Sequence, residues 1–215
     1  MALTTSTNPI VSPLTGRDTQ AASSGVQFVA VTPTPGTGVI GPVATTFSEI
    51  LGLMTVYNAS TTVTIYPQTL TLHVTVIGTT GARQNYTHVL DDGNRYVSGG
   101  TALTKSNTNS GSSTTSEATI TFGALVTSAA SGSRRILGNN QIREALIEVV
   151  GDRYEFNFGG APSGTGVRTT LGGDFHVSLP AVAIAPGDTW VLHHWRASIT
   201  VGVTFEVGQF SYIER

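Results

Sequence analysis

Apolar and polar residues alternate with a period of two along much of the chain after residue 48. Four stretches show the pattern most clearly: 70–76, 154–158, 175–179 and 199–207. Because successive side chains of a β-strand point to opposite faces, this alternation is typical of strands with one face in a core and one in water. Gly and Pro separate roughly eight to ten such segments. We therefore predict an all-β fold, an antiparallel β-sandwich that is jelly-roll-like.

The first 48 residues differ from the rest of the 215-residue chain. Proline recurs in them, Arg17 and Asp18 are their only charged residues, and only residues 26–31 resemble a strand. Such a composition favours an extended conformation, held by the flank of the domain or by a neighbouring subunit. The predicted organisation is an extended N-terminal arm over 1–48 and a β-sandwich domain over 49–215.

Three segments depart from the alternating pattern. Residues 91–117 and 159–173 are rich in Gly, Ser, Thr and Asn, and we predict long loops there. Residues 140–149 have apolar side chains at helical spacing, so they predict a short helix, or else a strand leading into Tyr154.

Charged residues are scarce: Asp, Glu, Lys and Arg make up 11% of the chain, and the net charge is −2. An average domain has about 25%. Copies of such a chain meet with little electrostatic repulsion, which favours a protein that works in an assembly. Nucleic acid is not an expected partner, because neutralising phosphates needs clustered Lys or Arg. Nor is a membrane, since no segment has the roughly 20 apolar residues that span a bilayer.

Residues suited to catalysis or metal binding form no recognisable pattern. The chain has no cysteine and five histidines, and it lacks both a metal-binding histidine motif and a nucleophile motif. We predict a protein that is not an enzyme, with no catalytic residue, no cofactor and no metal ion. A metal site that combines His193 with a histidine of a neighbouring strand is the alternative. Residues 91–94 predict an Asp-Gly turn rather than a calcium loop.

Two tryptophans lie on one predicted strand at positions that point to opposite faces. One is expected in the core, and the other would anchor an interface or, if exposed, stack against a sugar. The candidate interface residues come from the arm and from this strand. They are Pro9, Pro13, Arg17, Val26, Phe28, Pro33, Pro35, Trp190 and Trp195.

Short motifs extend from the middle of the chain to its end. They are Asn-Arg-Tyr-x-Ser-Gly-Gly-Thr-Ala-Leu-Thr at 94–104 with Asn-x-Asn at 107–109, Val-Gly-Asp-x-Tyr at 150–154 with Phe-Gly at 158–159, and Ile-Ala-Pro-Gly-Asp at 184–188 before the final Glu214–Arg215. In these motifs the chain resembles small virion proteins of tailed bacteriophages. The resemblance implies a β-sandwich bound to the particle as a head-decoration or cement subunit.

We accordingly expect a structural protein on the exterior of a virion. Its partners would be other copies of itself, as a trimer, and a major capsid protein. The alternatives are a jelly-roll shell protein, a tail or spike component, or a module that binds host glycans through Trp190 or Trp195 and the segment 91–117. A further alternative is an enzyme such as a polysaccharide depolymerase.

Overall fold

The computed structural model describes residues 20–78, 84–142, 149–159, 168–169, 172–197 and 199–215. Within these residues the chain forms one helical turn at 20–23 and fourteen β-strands. The strands are β1 (Gln27–Val31), β2 (Val39–Ile40), β3 (Leu51–Asn58), β4 (Ile65–Val76), β5 (Gln84–Asp92), β6 (Tyr96–Ala102), β7 (Thr104–Asn107), β8 (Ala118–Thr127), β9 (Arg135–Ile142), β10 (Arg153–Phe158), β11 (Arg168–Thr169), β12 (Gly172–Leu179), β13 (Asp188–Arg196) and β14 (Thr204–Glu214).

These strands form two sheets packed face to face. The eight-stranded sheet has the order β11-β12-β10-β4-β14-β1-β7, with β2 also paired to β14. The six-stranded sheet has the order β6-β8-β3-β13-β5-β9. Among the described strands, β10 and β12 form the one parallel pair. The predicted all-β, antiparallel sandwich is confirmed, whereas its jelly-roll order stays a prediction.

The core lies between the two sheets, where the apolar side of each alternating strand is buried. Aromatic rings make many of the contacts across it. Tyr86 of β5 meets Phe156 of β10 with ring centroids 5.2 Å apart, and Trp190 of β13 stacks on Phe210 of β14 at 6.2 Å. Such ring pairs contribute about 0.5–1.5 kcal/mol beyond the burial of their area. The predicted alternation therefore produces this core.

Residues 20–48 of the predicted arm are built into the domain. The strand predicted within the arm is confirmed as β1, which lies between β14 and β7 in the eight-stranded sheet. Phe28 of β1 is buried and stacks on Tyr212, with ring centroids 5.7 Å apart. Residues 1–19 lie outside the described residues, so the arm stays a prediction for that part.

Other segments of the same chain cover the outer face of the six-stranded sheet. On β13, Val191 and His193 point away from the core and are nevertheless buried. Phe47 packs edge-on against His193 at 5.1 Å between ring centroids, and the backbone N–H of Arg196 donates to the carbonyl of Ala44 at 2.9 Å. The expectation that each strand has a face in water is therefore wrong for the centre of this sheet.

The long loop predicted at 91–117 is wrong in its central part. There β6 pairs with β8 at one edge of the six-stranded sheet, and β7 pairs with β1 at an edge of the other sheet. Between them, Leu103 is buried and its N–H donates to the carbonyl of Ile120 at 3.0 Å. Gly99 has φ 85°, and a Cβ there would lie 2.5 Å from the carbonyl oxygen of Ala124. Glycine thus permits backbone pairing where apolar side chains are few.

The helix predicted at 140–149 is wrong for the residues that the structure describes. Residues 140–142 belong to β9, and Asn140 lies opposite Tyr86 of β5. Pairing with β5 takes up the backbone groups that a helix would need. Residues 143–148 lie outside the described residues, as does most of the predicted loop at 159–173.

Candidate functional site

Of the nine candidate interface residues, three are not described by the structure and two are buried in the core. Pro9, Pro13 and Arg17 lie outside the described residues. Phe28 and Trp190 are in the core, with exposed fractions of 1% and 0%. A partner of the folded domain cannot reach either side chain.

The other four candidates are accessible but do not come together. Val26 and Trp195 are partly buried, and Pro33 and Pro35 are exposed. Val26 and Pro33 flank opposite ends of β1, whereas Trp195 lies in the six-stranded sheet. Trp190 is thus the tryptophan of the core, and Trp195 is the one left at a surface.

A row of exposed aliphatic side chains crosses one end of the eight-stranded sheet. Ile40 of β2 and Val76 of β4 both lie opposite Thr204 of β14, and directly opposite residues share a face. Their exposed fractions are 53% and 54%. Ile77 and Val201, which lie beside this row, are 39% and 56% exposed. We call these four aliphatic side chains the apolar end.

A β-bulge brings Val76 into this row. Val74 lies opposite Phe205 and is buried, but the register shifts between Phe205 and Thr204, and Val76 lies opposite Thr204. Without the shift, Val76 would point to the same side as Val74. The period-two pattern assigns Val76 to the buried face, and the structure corrects this.

Arg95 fastens three other segments over the outer face of the six-stranded sheet. Its guanidinium pairs with the Asp91 carboxylate, donates to the backbone carbonyl of Glu49 at 3.1 Å, and donates from Nε to the carbonyl of Ser128 at 3.0 Å. The N–H of Ser131 donates to Asp91 at 3.0 Å. The side chains of Arg95 and Asp91 are only 3% and 0% exposed. We call this buried arrangement the Arg95 clamp.

The Asp91 carboxylate is charged and fully engaged by its own chain. Burial alone would raise the pKa of Asp91, but hydrogen bonds from Ser131 and the charge of Arg95 outweigh it and hold the pKa below its usual value. Gly93 follows with φ 72°, a conformation that suits a turn after β5. The sequence did not predict the clamp. Arg95 was assigned to a short motif, and no role was predicted for its side chain.

Two histidines lie inside the sandwich. The ring of His88 is 5.3 Å from that of Phe156, and the ring of His194 is 5.0 Å from that of Tyr86. Neither imidazole has a hydrogen-bond partner among the described residues. Burial lowers the pKa of each histidine to about 3, with a smaller effect from His193 on His88 and from Arg196 on His194. Both rings are therefore neutral at physiological pH.

The histidine considered as a metal ligand is engaged elsewhere. Nδ1 of His193 lies 2.8 Å from the carbonyl oxygen of Leu51, and Phe47 packs against its ring. Within the described ranges, no group of three or more His, Cys, Asp or Glu side chains is placed to hold a metal ion. In the same part of the chain, no helix is long and apolar enough to cross a membrane.

Trp195 lies on the outer face of the six-stranded sheet beside amide and hydroxyl side chains. Trp195 of β13, Asn85 of β5 and Gln141 of β9 stand directly opposite one another in register. The indole N–H of Trp195 donates to Oγ1 of Thr87 at 3.2 Å, and the Thr87 hydroxyl donates to Oδ1 of Asn139 at 2.9 Å. Nε2 of Gln141 donates to Oδ1 of Asn85 at 3.1 Å. We call these five side chains the Trp195 face.

Comparison of the chain with protein-family models, with curated proteins and with solved structures finds no match.

Proposed function

We propose that this protein is a non-enzymatic structural subunit of a virus particle, a decoration or cement protein that binds and stabilises the head of a bacteriophage. The apolar end is the observation that carries the proposal. It exposes Ile40 and Val76 at one end of a sheet, with Ile77 and Val201 beside them, on a chain in which only 11% of residues are charged. Such a surface is typical of a place where chains meet.

Other copies of the same chain are the occupants that fit the apolar end. The row of Ile40, Thr204 and Val76 contains no charge, so two copies bring no like charges together there. Burying the exposed half of an aliphatic side chain stabilises a contact by about 1 kcal/mol. A trimer repeats this gain at each of its joints.

The contact is small, and this explains why the function requires many copies. The row spans three strands, about 10 Å, whereas a stable pairwise interface covers about 800 Å² on each partner. One joint of this size is weak, but subunits held on a particle meet at high effective concentration. Because the contact is repeated many times over the particle, the weak joints together resist disassembly.

Sedimentation velocity of the full chain tests the contact between copies. At high protein concentration, where weak joints form without a particle, we expect the wild-type protein to sediment as a trimer. The double variant Ile40→Asp/Val76→Asp should sediment as a monomer, because the joint would bury two unpaired carboxylates. Ile136→Asp is the matched control, since Ile136 is 54% exposed on β9, at the edge of the six-stranded sheet opposite β6. This control should remain a trimer.

Two results would contradict the proposal. One is a wild-type chain that stays monomeric at every concentration tested. The other is a double variant that keeps the wild-type mass while remaining folded by circular dichroism.

A further inference from the structure

We infer that the Trp195 face binds an uncharged glycan. This site is separate from the apolar end and goes beyond the structural role proposed above. It lies on the other sheet, and none of its five side chains belongs to the contact between copies.

The two amides of β9 offer a fixed donor and a fixed acceptor to a ligand. Asn139 uses Oδ1 to accept from Thr87, and Gln141 uses Nε2 to donate to Asn85. Within the described residues, Nδ2 of Asn139 and Oε1 of Gln141 make no hydrogen bond, and both side chains are at exposed positions. One polar atom of each amide is already held by a hydrogen bond within the sheet. A ligand that bonds to the other polar atom therefore costs little additional side-chain conformational entropy.

The indole of Trp195 supplies an apolar surface between these polar groups. Its single donor is satisfied by Thr87, so its accessible part offers carbon and the π-face rather than a hydrogen bond. A sugar ring presents C–H bonds on its faces and hydroxyl groups around its edge. An aromatic ring beside a fixed donor and a fixed acceptor is complementary to that distribution.

The absence of charge selects among sugars. All five side chains of the Trp195 face are uncharged. Arg135 lies opposite Leu90, at the far end of β9 from Gln141, and the side chain of Arg196 is fully buried. Among the residues that the structure describes, a carboxylate or sulfate on the ligand would find no cation beside these five side chains, so neutral oligosaccharides are the ligand class that we assign.

An array of neutral and acidic oligosaccharides, probed with the full chain, tests the inference. We expect binding to at least one uncharged hexasaccharide, and Trp195→Ala should weaken it by at least about tenfold through loss of the aromatic surface. Because Trp195→Ala removes a packed side chain, the double variant Asn139→Ala/Gln141→Ala provides an independent test at exposed positions. Loss of its hydrogen bonds should weaken binding by about threefold to tenfold.

Two controls separate this site from other effects. Gln209→Ala changes an exposed amide on β14 of the other sheet and should bind as the wild type does. The double variant Ile40→Asp/Val76→Asp should also bind the glycan, because its substitutions lie outside the Trp195 face. A failure of the trimer proposal would therefore leave the glycan result unaffected. Absence of binding to every uncharged glycan, a preference for acidic glycans, or equal binding by all variants would overturn the inference.

Discussion

The covered centre of the outer face of the six-stranded sheet and the apolar end of the eight-stranded sheet differ in what covers their side chains. Over the outer face, the Arg95 clamp and Phe47 leave Asp91 and His193 almost inaccessible to water. At the apolar end, Ile40 and Val76 are more than half exposed. The first region is covered by other segments of the same chain, and the second exposes apolar area that, as we propose, another copy buries.

This difference separates folding from assembly. Residues at the covered centre of the outer face, such as Arg95, are expected to determine the free energy of unfolding of the single chain, because their partners lie within it. Residues of the apolar end are expected to determine the association between chains and to contribute little to unfolding.

Arg95→Ala should lower the free energy of unfolding by about 3–5 kcal/mol, because it leaves the Asp91 charge buried without its partner. Urea denaturation followed by circular dichroism measures the loss. Arg153→Ala is the control: Arg153 pairs with Glu155 at 2.6 Å, but its side chain is 40% exposed, so the expected loss is below about 1 kcal/mol. Equal losses for the two variants would show that the clamp does not hold the outer face.

Acid should destabilise the sandwich through its buried histidines. His194 has a pKa of about 3 when folded and about 6.5 when unfolded, so the unfolded chain binds more protons between these values. The free energy of unfolding therefore has its full value above about pH 6.5 and falls as the pH decreases. At pH 4.5, one such histidine lowers it by about 2–3 kcal/mol.

Urea denaturation at pH 7 and at pH 4.5 measures this loss. His194→Phe removes the titrating group and should make the difference between the two pH values smaller. A variant with the same acid sensitivity as the wild type would contradict the prediction.

A matched pair of valines on β4 gives the smallest expected effect. Val74 is 1% exposed and Val76 is 54% exposed. Val74→Ala should lower the free energy of unfolding by about 1–3 kcal/mol, and Val76→Ala should change it by no more than about 0.5 kcal/mol. If Val76→Ala destabilised the single chain as much as Val74→Ala does, the apolar end would belong to folding rather than to assembly.

Much of the fold could be predicted because the signal is local. Alternation in 70–76 and 154–158 predicts β4 and β10, since a strand needs only a side chain of the right kind at every second position. The same rule placed Trp190 and Trp195 on opposite faces, although the sheet order decides which of them is in the core. The strand β1 was also predicted, but its position inside the eight-stranded sheet depends on distant pairing with β14.

The candidate sites depend on features that the pattern does not contain. The bulge that exposes Val76 arises from a register shift against β14. The Arg95 clamp joins Arg95 to backbone carbonyls of Glu49 and Ser128, which are distant in the sequence. Glycine-rich β6 lacks apolar alternation because its pairing depends on the backbone. Period-two reasoning therefore cannot predict where these strands bend or which segments cover them.

Electron microscopy of phage particles that contain this protein, labelled with an antibody against it, tests the central claim most directly. We predict label at regular positions over the exterior of the head, at the high copy number of a decoration protein. Label confined to the tail would contradict the account.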